Sequence, residues 1–172
     1  MMKFSHIVIA FITFFASAGM AVSQTSSGTQ EYGDGGAYEG EFLNGLPHGN
    51  GTYELPNGYR YVGEWFEGEI NGQGEALFPN GSVYIGSFVK GKPEGSGKIT
   101  FTDGGTYEGE WANGSITGEG YAKYANGTTY QGTFLDAMHD GKGIMKSPDG
   151  YIYDGTWENG VKQGKATVTY PD

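Results

Sequence analysis

The residues able to do chemistry in this sequence are few and scattered. Gly95-Ser96-Gly97-Lys98 comes closest to a phosphate-binding loop, in which backbone N–H groups and a lysine cradle phosphate and a following Ser or Thr holds magnesium. Ile99 stands where that hydroxyl belongs and Gly91 is one residue out of register, so repeat glycine explains the stretch better. The recurring Gly-x-Gly pairs lack the third glycine of a dinucleotide fingerprint and precede strand-like rather than helical sequence. Past the first 23 residues only His48 and His139 remain, both in glycine-rich segments and several units apart. General-base or metal chemistry needs them to converge with carboxylates, and this spacing does not promise that.

Ser82, Ser96 and Ser115 have no histidine at a matching place, so a nucleophilic triad is not indicated. The acid pairs Glu108/Glu110 and Glu67/Glu69 lack the spacing of a calcium loop and fit a solvated strand face or turn. Asn50, Asn80, Asn113 and Asn126 each head an Asn-x-Ser/Thr sequon, for which turn formation is the simpler account. No catalytic residue, metal or cofactor is therefore expected, and the chain is not expected to be an enzyme.

What positions these residues is a beat of 23. Tyrosines fall at Tyr38, Tyr61, Tyr84, Tyr107, Tyr130 and Tyr153, each followed two residues later by glycine and four later by Phe42, Trp65, Phe88, Trp111, Phe134 or Trp157. A fixed period of this length marks supersecondary units that must stack to bury their apolar faces. Within a unit the ring-variable-glycine-variable-ring alternation has period two, the signature of a half-buried strand. Tyr107, Gly109 and Trp111 then share one face while Glu108 and Glu110 share the other.

Glycines near 45 and the following Gly-x-Gly pairs are expected to reverse the chain, because glycine supplies positive φ and close backbone approach. A second strand follows with apolar residues on alternate positions, such as Tyr53/Leu55, Ala76/Phe78 and Ile99/Phe101. It ends in Asn57-Gly58, Asn80-Gly81, Asp103-Gly104, Asn126-Gly127 or Asp149-Gly150, expected as two-residue type I′ turns. Rings from adjacent strands can lie over the glycines, with Tyr61, Trp65 and Phe78 as one expected cluster.

Composition bounds the rest. The sequence has 172 residues, 33 glycines and no cysteine, which points to an extended array without disulfides or thiolate metal sites. Residues 1–23 combine Lys3, an apolar run from Ile7 to Phe15 and small residues from Ala16 to Ser23, the order of a secretory signal peptide too short to span a bilayer. Export to a periplasmic or extracellular space is the expectation. Its removal takes one cation and no acid, so the net charge moves from −10 to −11. That sign opposes nucleic acid and anionic lipid alike. Residues 24–30, polar and small, are expected to be a flexible linker, with the array over 31–172. Tyr32 to Tyr38 matches Phe101 to Tyr107, so the array opens on half a unit, with end strands expected around Tyr32 and Tyr170.

The pattern Tyr-x-Gly-x-Trp-x-x-Gly-x-x-x-Gly-x-Gly, unbroken over Tyr61–Gly74 and Tyr107–Gly120, resembles the MORN (membrane occupation and recognition nexus) repeat. Departures are Phe for Trp at three positions, Ala137 for a glycine, and Ala166 in the last unit. The resemblance implies an all-β fold: an elongated, single-layer, twisted antiparallel sheet of six stacked β-hairpin repeats. It implies a scaffold for protein assembly or membrane tethering, and from residue 31 onward the sequence is repeat throughout. The expectation is a protein partner, or self-association, through the aromatic face and open edges, with Tyr61, Trp65, Tyr107, Trp111, Tyr153 and Trp157 as candidate contacts. A membrane-lipid tether is the alternative, since Trp and Tyr suit an interface.

Overall fold

A computed structural model describes residues 24–171, and the signal-peptide expectation on 1–23 lies outside the described residues. Strand β1 (Thr25–Glu31) is followed by six hairpins. Their first strands are β2 (Ala37–Leu43), β4 (Arg60–Phe66), β6 (Val83–Val89), β8 (Thr106–Ala112), β10 (Thr129–Leu135) and β12 (Ile152–Glu158). Their second strands are β3 (Leu46–Glu54), β5 (Glu69–Leu77), β7 (Lys92–Thr100), β9 (Ser115–Lys123), β11 (Met138–Lys146) and β13 (Val161–Thr169). All thirteen lie in one antiparallel sheet in chain order, on the order of 60 Å across at ~4.8 Å per strand. The all-β, stacked-hairpin expectation holds.

Each second strand has nine residues against seven in its partner, and a bulge absorbs the difference. In the second unit Gly63 pairs Gly74 and Trp65 pairs Ile70, so Glu64 alone opposes three residues. Gly72, the middle one, has φ +115°, a conformation a side chain resists. The Gly-x-Gly pair therefore lies inside the second strand. The chain reverses earlier, at a two-residue turn.

That turn is where both central residues have positive φ: Asn44-Gly45, Glu67-Gly68, Lys90-Gly91, Asn113-Gly114, Asp136-Ala137 and Asn159-Gly160. These are the type I′ positions, and only three of them carry the expected Asn-Gly pair. At Asn57-Gly58 and its equivalents only the glycine is left-handed. There Gly58 N donates to Leu55 O and Leu55 N to Tyr59 O, a three-residue loop built on a type I turn. The asparagine is kept because its Oδ1 accepts Tyr59 N at 2.9 Å, as Asn80, Asp103, Asn126 and Asp149 do for their own residues two further on.

One expectation about the ends is corrected. Residues 25–31 are a strand rather than a flexible linker, in register with β2 from Thr25↔Leu43 to Glu31↔Ala37. Backbone pairing to a formed neighbour outweighs their linker-like composition. The edges are β1 and β13, which end at Glu31 and Thr169, immediately before Tyr32 and Tyr170, as expected.

Candidate functional site

The second glycine of each Gly-x-Gly has a different task from the first. Gly74 lies beneath the Tyr61 ring, and a Cβ placed there would stand 2.5 Å from Cε2 of that ring. Opposite it, a Cβ on Gly63 would meet Gly74 Cα and the Tyr61 hydroxyl at 2.5 Å. The same tyrosine-over-two-glycines arrangement recurs at Tyr38, Tyr84, Tyr107 and Tyr130. In the last unit Ala166 replaces one glycine beside Tyr153 and Gly155.

Every one of these hydroxyls donates to the carbonyl three residues on, those of Glu41, Glu64, Ser87, Glu110, Thr133 and Thr156, at 2.8–3.1 Å. Those carbonyls belong to the bulge, so the ring that fills the face also satisfies the backbone group the bulge frees. On the other face the Glu41 and Glu64 carboxylates accept the amides of Asn50 and Gln73 at 3.0 and 2.7 Å. The acids thus brace bulges.

The rings form one continuous row. From Phe42 through Tyr38, Trp65, Tyr61 and on to Trp157 and Tyr153, successive centroids are 4.9–5.8 Å apart with planes at 72–88°. Edge-to-face pairs of this kind add about 0.5–1.5 kcal/mol each beyond burial. The six candidate contacts Tyr61, Trp65, Tyr107, Trp111, Tyr153 and Trp157 all belong to this row, and none is more than 7% exposed. The structure corrects their expected accessibility, because each ring is enclosed by its neighbours and by backbone. Phe78 is displaced from its expected cluster as well, lying instead 6.1 Å from Tyr59.

Burial raises the hydroxyls of Tyr38, Tyr61, Tyr84, Tyr107 and Tyr130, with Tyr84, Tyr107 and Tyr130 pushed up to about 12 and Tyr61 beyond. They stay neutral donors throughout the physiological range.

The row hides a second period that the sequence reading missed. Phe and Trp alternate strictly, and each faces a fixed cross-strand partner: Phe42 with Pro47, Trp65 with Ile70, Phe88 with Pro93 and Trp111 with Ile116. The visible signal was the Phe/Trp alternation itself, which makes the unit of packing a pair of hairpins. In the last pair polar residues take over. His139 faces Phe134 and Lys162 faces Trp157. His139 stacks on Tyr130 at 3.6 Å, and its Nε2 is 2.6 Å from Tyr124 Oη. Burial pushes its pKa down. Lys162 Nζ lies 4.6–5.7 Å over the rings of Tyr151, Tyr153 and Trp157.

The opposite face is exposed. A row runs across it through Val62, Glu75, Ile85, Lys98, Glu108 and Tyr121. Phe66 at 52% and Ile85 at 55% stand well out of the surface. Lys98 pairs with Glu108 at 3.4 Å, which accounts for the lysine of the phosphate-loop-like stretch, and Gly97 lies under Tyr84. His48 and His139 are held in separate units, and among the described residues no three His, Cys, Asp or Glu side chains gather into a metal-holding group. A hollow of about 270 Å³ on the ring face, floored by Tyr107, Ile116 and Phe134, is smaller than most ligand sites.

Against known proteins, the sequence matches the MORN repeat over residues 38–58, 61–83, 84–106, 107–129, 130–150 and 153–172. No curated protein matches it. Among solved structures it is similar to the G-box domain of the microcephaly protein CPAP, with 17% identity, 83% of this chain and 73% of that one covered, and a TM-score of 0.51. It is also similar to the SAS-4 TCP domain of Drosophila melanogaster, solved in complex with a proline-rich motif of Ana2, with 10% identity, 94% and 98% covered, and a TM-score of 0.50. At these identities the likeness concerns the fold.

Proposed function

The chain belongs to the MORN-repeat family, and from that premise we propose that it is a non-enzymatic, exported scaffold that binds a protein partner. The observation that carries this reading is the open single layer. Its ring face is consumed by internal packing, which leaves the exposed opposite face and, among the described residues, two unpaired strand edges as the surfaces available to another molecule. That a sheet of this fold can serve as a docking platform is supported by the SAS-4 domain, which takes a proline-rich motif of Ana2. Export rests on the leader-like pattern of residues 1–23.

Glu75 and Glu108 interrupt the apolar residues of the exposed face, and the mature chain is strongly acidic, so a lipid surface is the poorer fit. Cross-linking the chain in its native compartment, followed by purification and mass spectrometry, tests the proposal. A discrete partner in fixed ratio is expected. A strictly monomeric species with nothing retained, or flotation on neutral liposomes, overturns it. An intact mass that includes residues 1–23 overturns the export assignment alone.

A further inference from the structure

We infer that the outer edge of β1 is an acceptor for one extended segment of a partner protein, carrying an aromatic residue two positions before a glycine. The inference rests on the scaffold reading and gives it a place and a ligand chemistry. Among the described residues β1 is a strand of the second type with no first-type strand on its outer side. Shifting β1 by 23 residues superposes Gly28 on Gly51, and by a further 23 on Gly74. In the five complete glycine pairs from Tyr38 to Tyr130, the second-strand glycine is roofed by the tyrosine of its own unit. Gly28 is not. The atom nearest to a Cβ placed there is Phe42 Cε2, at 3.8 Å.

Phe42 reports the same gap. Five of the six second rings, from Trp65 to Trp157, are buried between the tyrosine before and the tyrosine of their own unit. Among the rings Phe42 meets only Tyr38, and it is the one of the twelve left half-buried.

The backbone is equally unfinished. Asn44 N donates to Gln24 O and Tyr32 N to Gly36 O, so the even-numbered residues of β1 bond inward to β2. By antiparallel alternation the N–H and C=O groups of Thr25, Ser27, Thr29 and Glu31 point outward, and among the described residues no strand takes them. Every strand pair from β1·β2 to β11·β12 sets glycine opposite glycine, beginning with Gly28↔Gly40. An added strand that continues this register places its own glycine opposite Gly28 and its aromatic over both. Thr25 to Gln30 carry no charge, no proline and no bulge, the devices that usually deter strand addition.

A second copy of the chain does not supply the missing piece. Among its described residues the first strands are all paired on both sides, and the two free strands are both of the second type. On the export reading residues 1–23 are removed as a leader, and the occupant is then a segment of another protein, added in the manner of β-augmentation.

The test uses a capped peptide copying residues 129–135, Thr-Tyr-Gln-Gly-Thr-Phe-Leu, which has the required pattern and no charge. Titrated into the purified chain, it is expected to shift amide resonances of Thr25–Glu31 and Phe42. Gly28→Val puts a side chain where the ring must lie, and Ser27→Pro removes an outward donor. Each is expected to weaken binding about tenfold or more, as is alanine in place of the peptide's tyrosine. Gly28→Val has room in the free protein, and unchanged thermal unfolding of both variants certifies their fold. Shifts centred on Val161–Thr169, or affinity unchanged by both substitutions, overturn the inference. A native partner retained equally by parent and variants overturns the edge assignment while leaving the scaffold reading intact. Loss of every partner from the parent overturns that reading instead.

Discussion

The two edges of this sheet are built from the same kind of strand and finished in opposite ways. β13 carries Lys162 and Lys165 with no acid, a bulge at Gly164 with φ +64°, and Ala166 where a glycine would complete the repeat. Its lysine lies over three rings at the position where Ile70 and Ile116 pack in earlier units, so a solvated cation ends the aromatic row. Those are the features of a terminal cap, which a stacked array needs at an exposed end. β1 has none of them, and Phe42 behind it is half-buried. Charge follows the same division. Residues 31–77 hold nine acids against Arg60, so the uncapped end is also the acidic one. The lesson is that the repeat fixes which surfaces are buried, and the departures from it decide which end stays open.

The sharpest way to break this contrast is to put one side chain at equivalent glycines. Gly74→Val is expected to lose about 3 kcal/mol or more, because its side chain enters the Tyr61 ring, while Gly28→Val stays within about 0.5 kcal/mol. Urea unfolding followed by circular dichroism measures both, and equal costs would mean that Gly28 is already roofed. Alkali should act next, and on the interior. The folded pKa values of Tyr84, Tyr107 and Tyr130 are raised from 10.0 to about 12. The stability held by the neutral hydroxyls is therefore fully present below pH 10 and is lost as pH rises toward 12. Tyrosinate absorbance appearing together with loss of sheet signal is the expected record.

Removing one hydroxyl is a smaller perturbation. Tyr107→Phe leaves the Glu110 carbonyl of the bulge without its 3.0 Å donor and should cost about 1 kcal/mol. Acid distinguishes the ends. The pKa of His139 is lowered by burial, so unfolded chains take up its proton first and stability falls as pH drops below the ordinary value of 6.5. His139→Ile should flatten the part of the acid melting curve that belongs to the fifth and sixth units, and an unchanged curve would remove the histidine from the account. Replacing Lys162 by Ile, together with Lys165→Thr, should change stability by only about 0.5–1 kcal/mol. Its larger effect is on assembly. Sedimentation should then show concentration-dependent association through β13, and its absence would mean that the bulge alone closes that edge.

Much of this is legible in the residues alone. Tyr-x-Gly alternation and the beat of 23 located every first strand, and the glycine two after each tyrosine already implied a ring lying flat. The turns were misjudged for a physical reason. Asn57-Gly58 looks like a type I′ pair, but Pro56 favours the first position of a type I turn and the asparagine is spent on an amide two residues on. Glu67-Gly68, Lys90-Gly91 and Asp136-Ala137 adopt the two-residue turn with unpromising residues because the flanking ring packing dictates the register. β1 was hidden by a composition that has no preference of its own and becomes a strand only against β2.

By itself the sequence determined the fold, since a periodic pattern of rings and glycines admits one way of stacking and each unit repeats the instruction. Accessibility was decided only by the tertiary structure. Whether Trp65 or Tyr107 faces solvent depends on the neighbouring hairpins, which are 23 residues away along the chain and about 5 Å away in space. The same arrangement that makes the rings conspicuous in the sequence removes them from the surface. Among the described residues it leaves Gly28 and the outward amides of β1, unremarked in the linear pattern, without the ring and the strand that cover their equivalents.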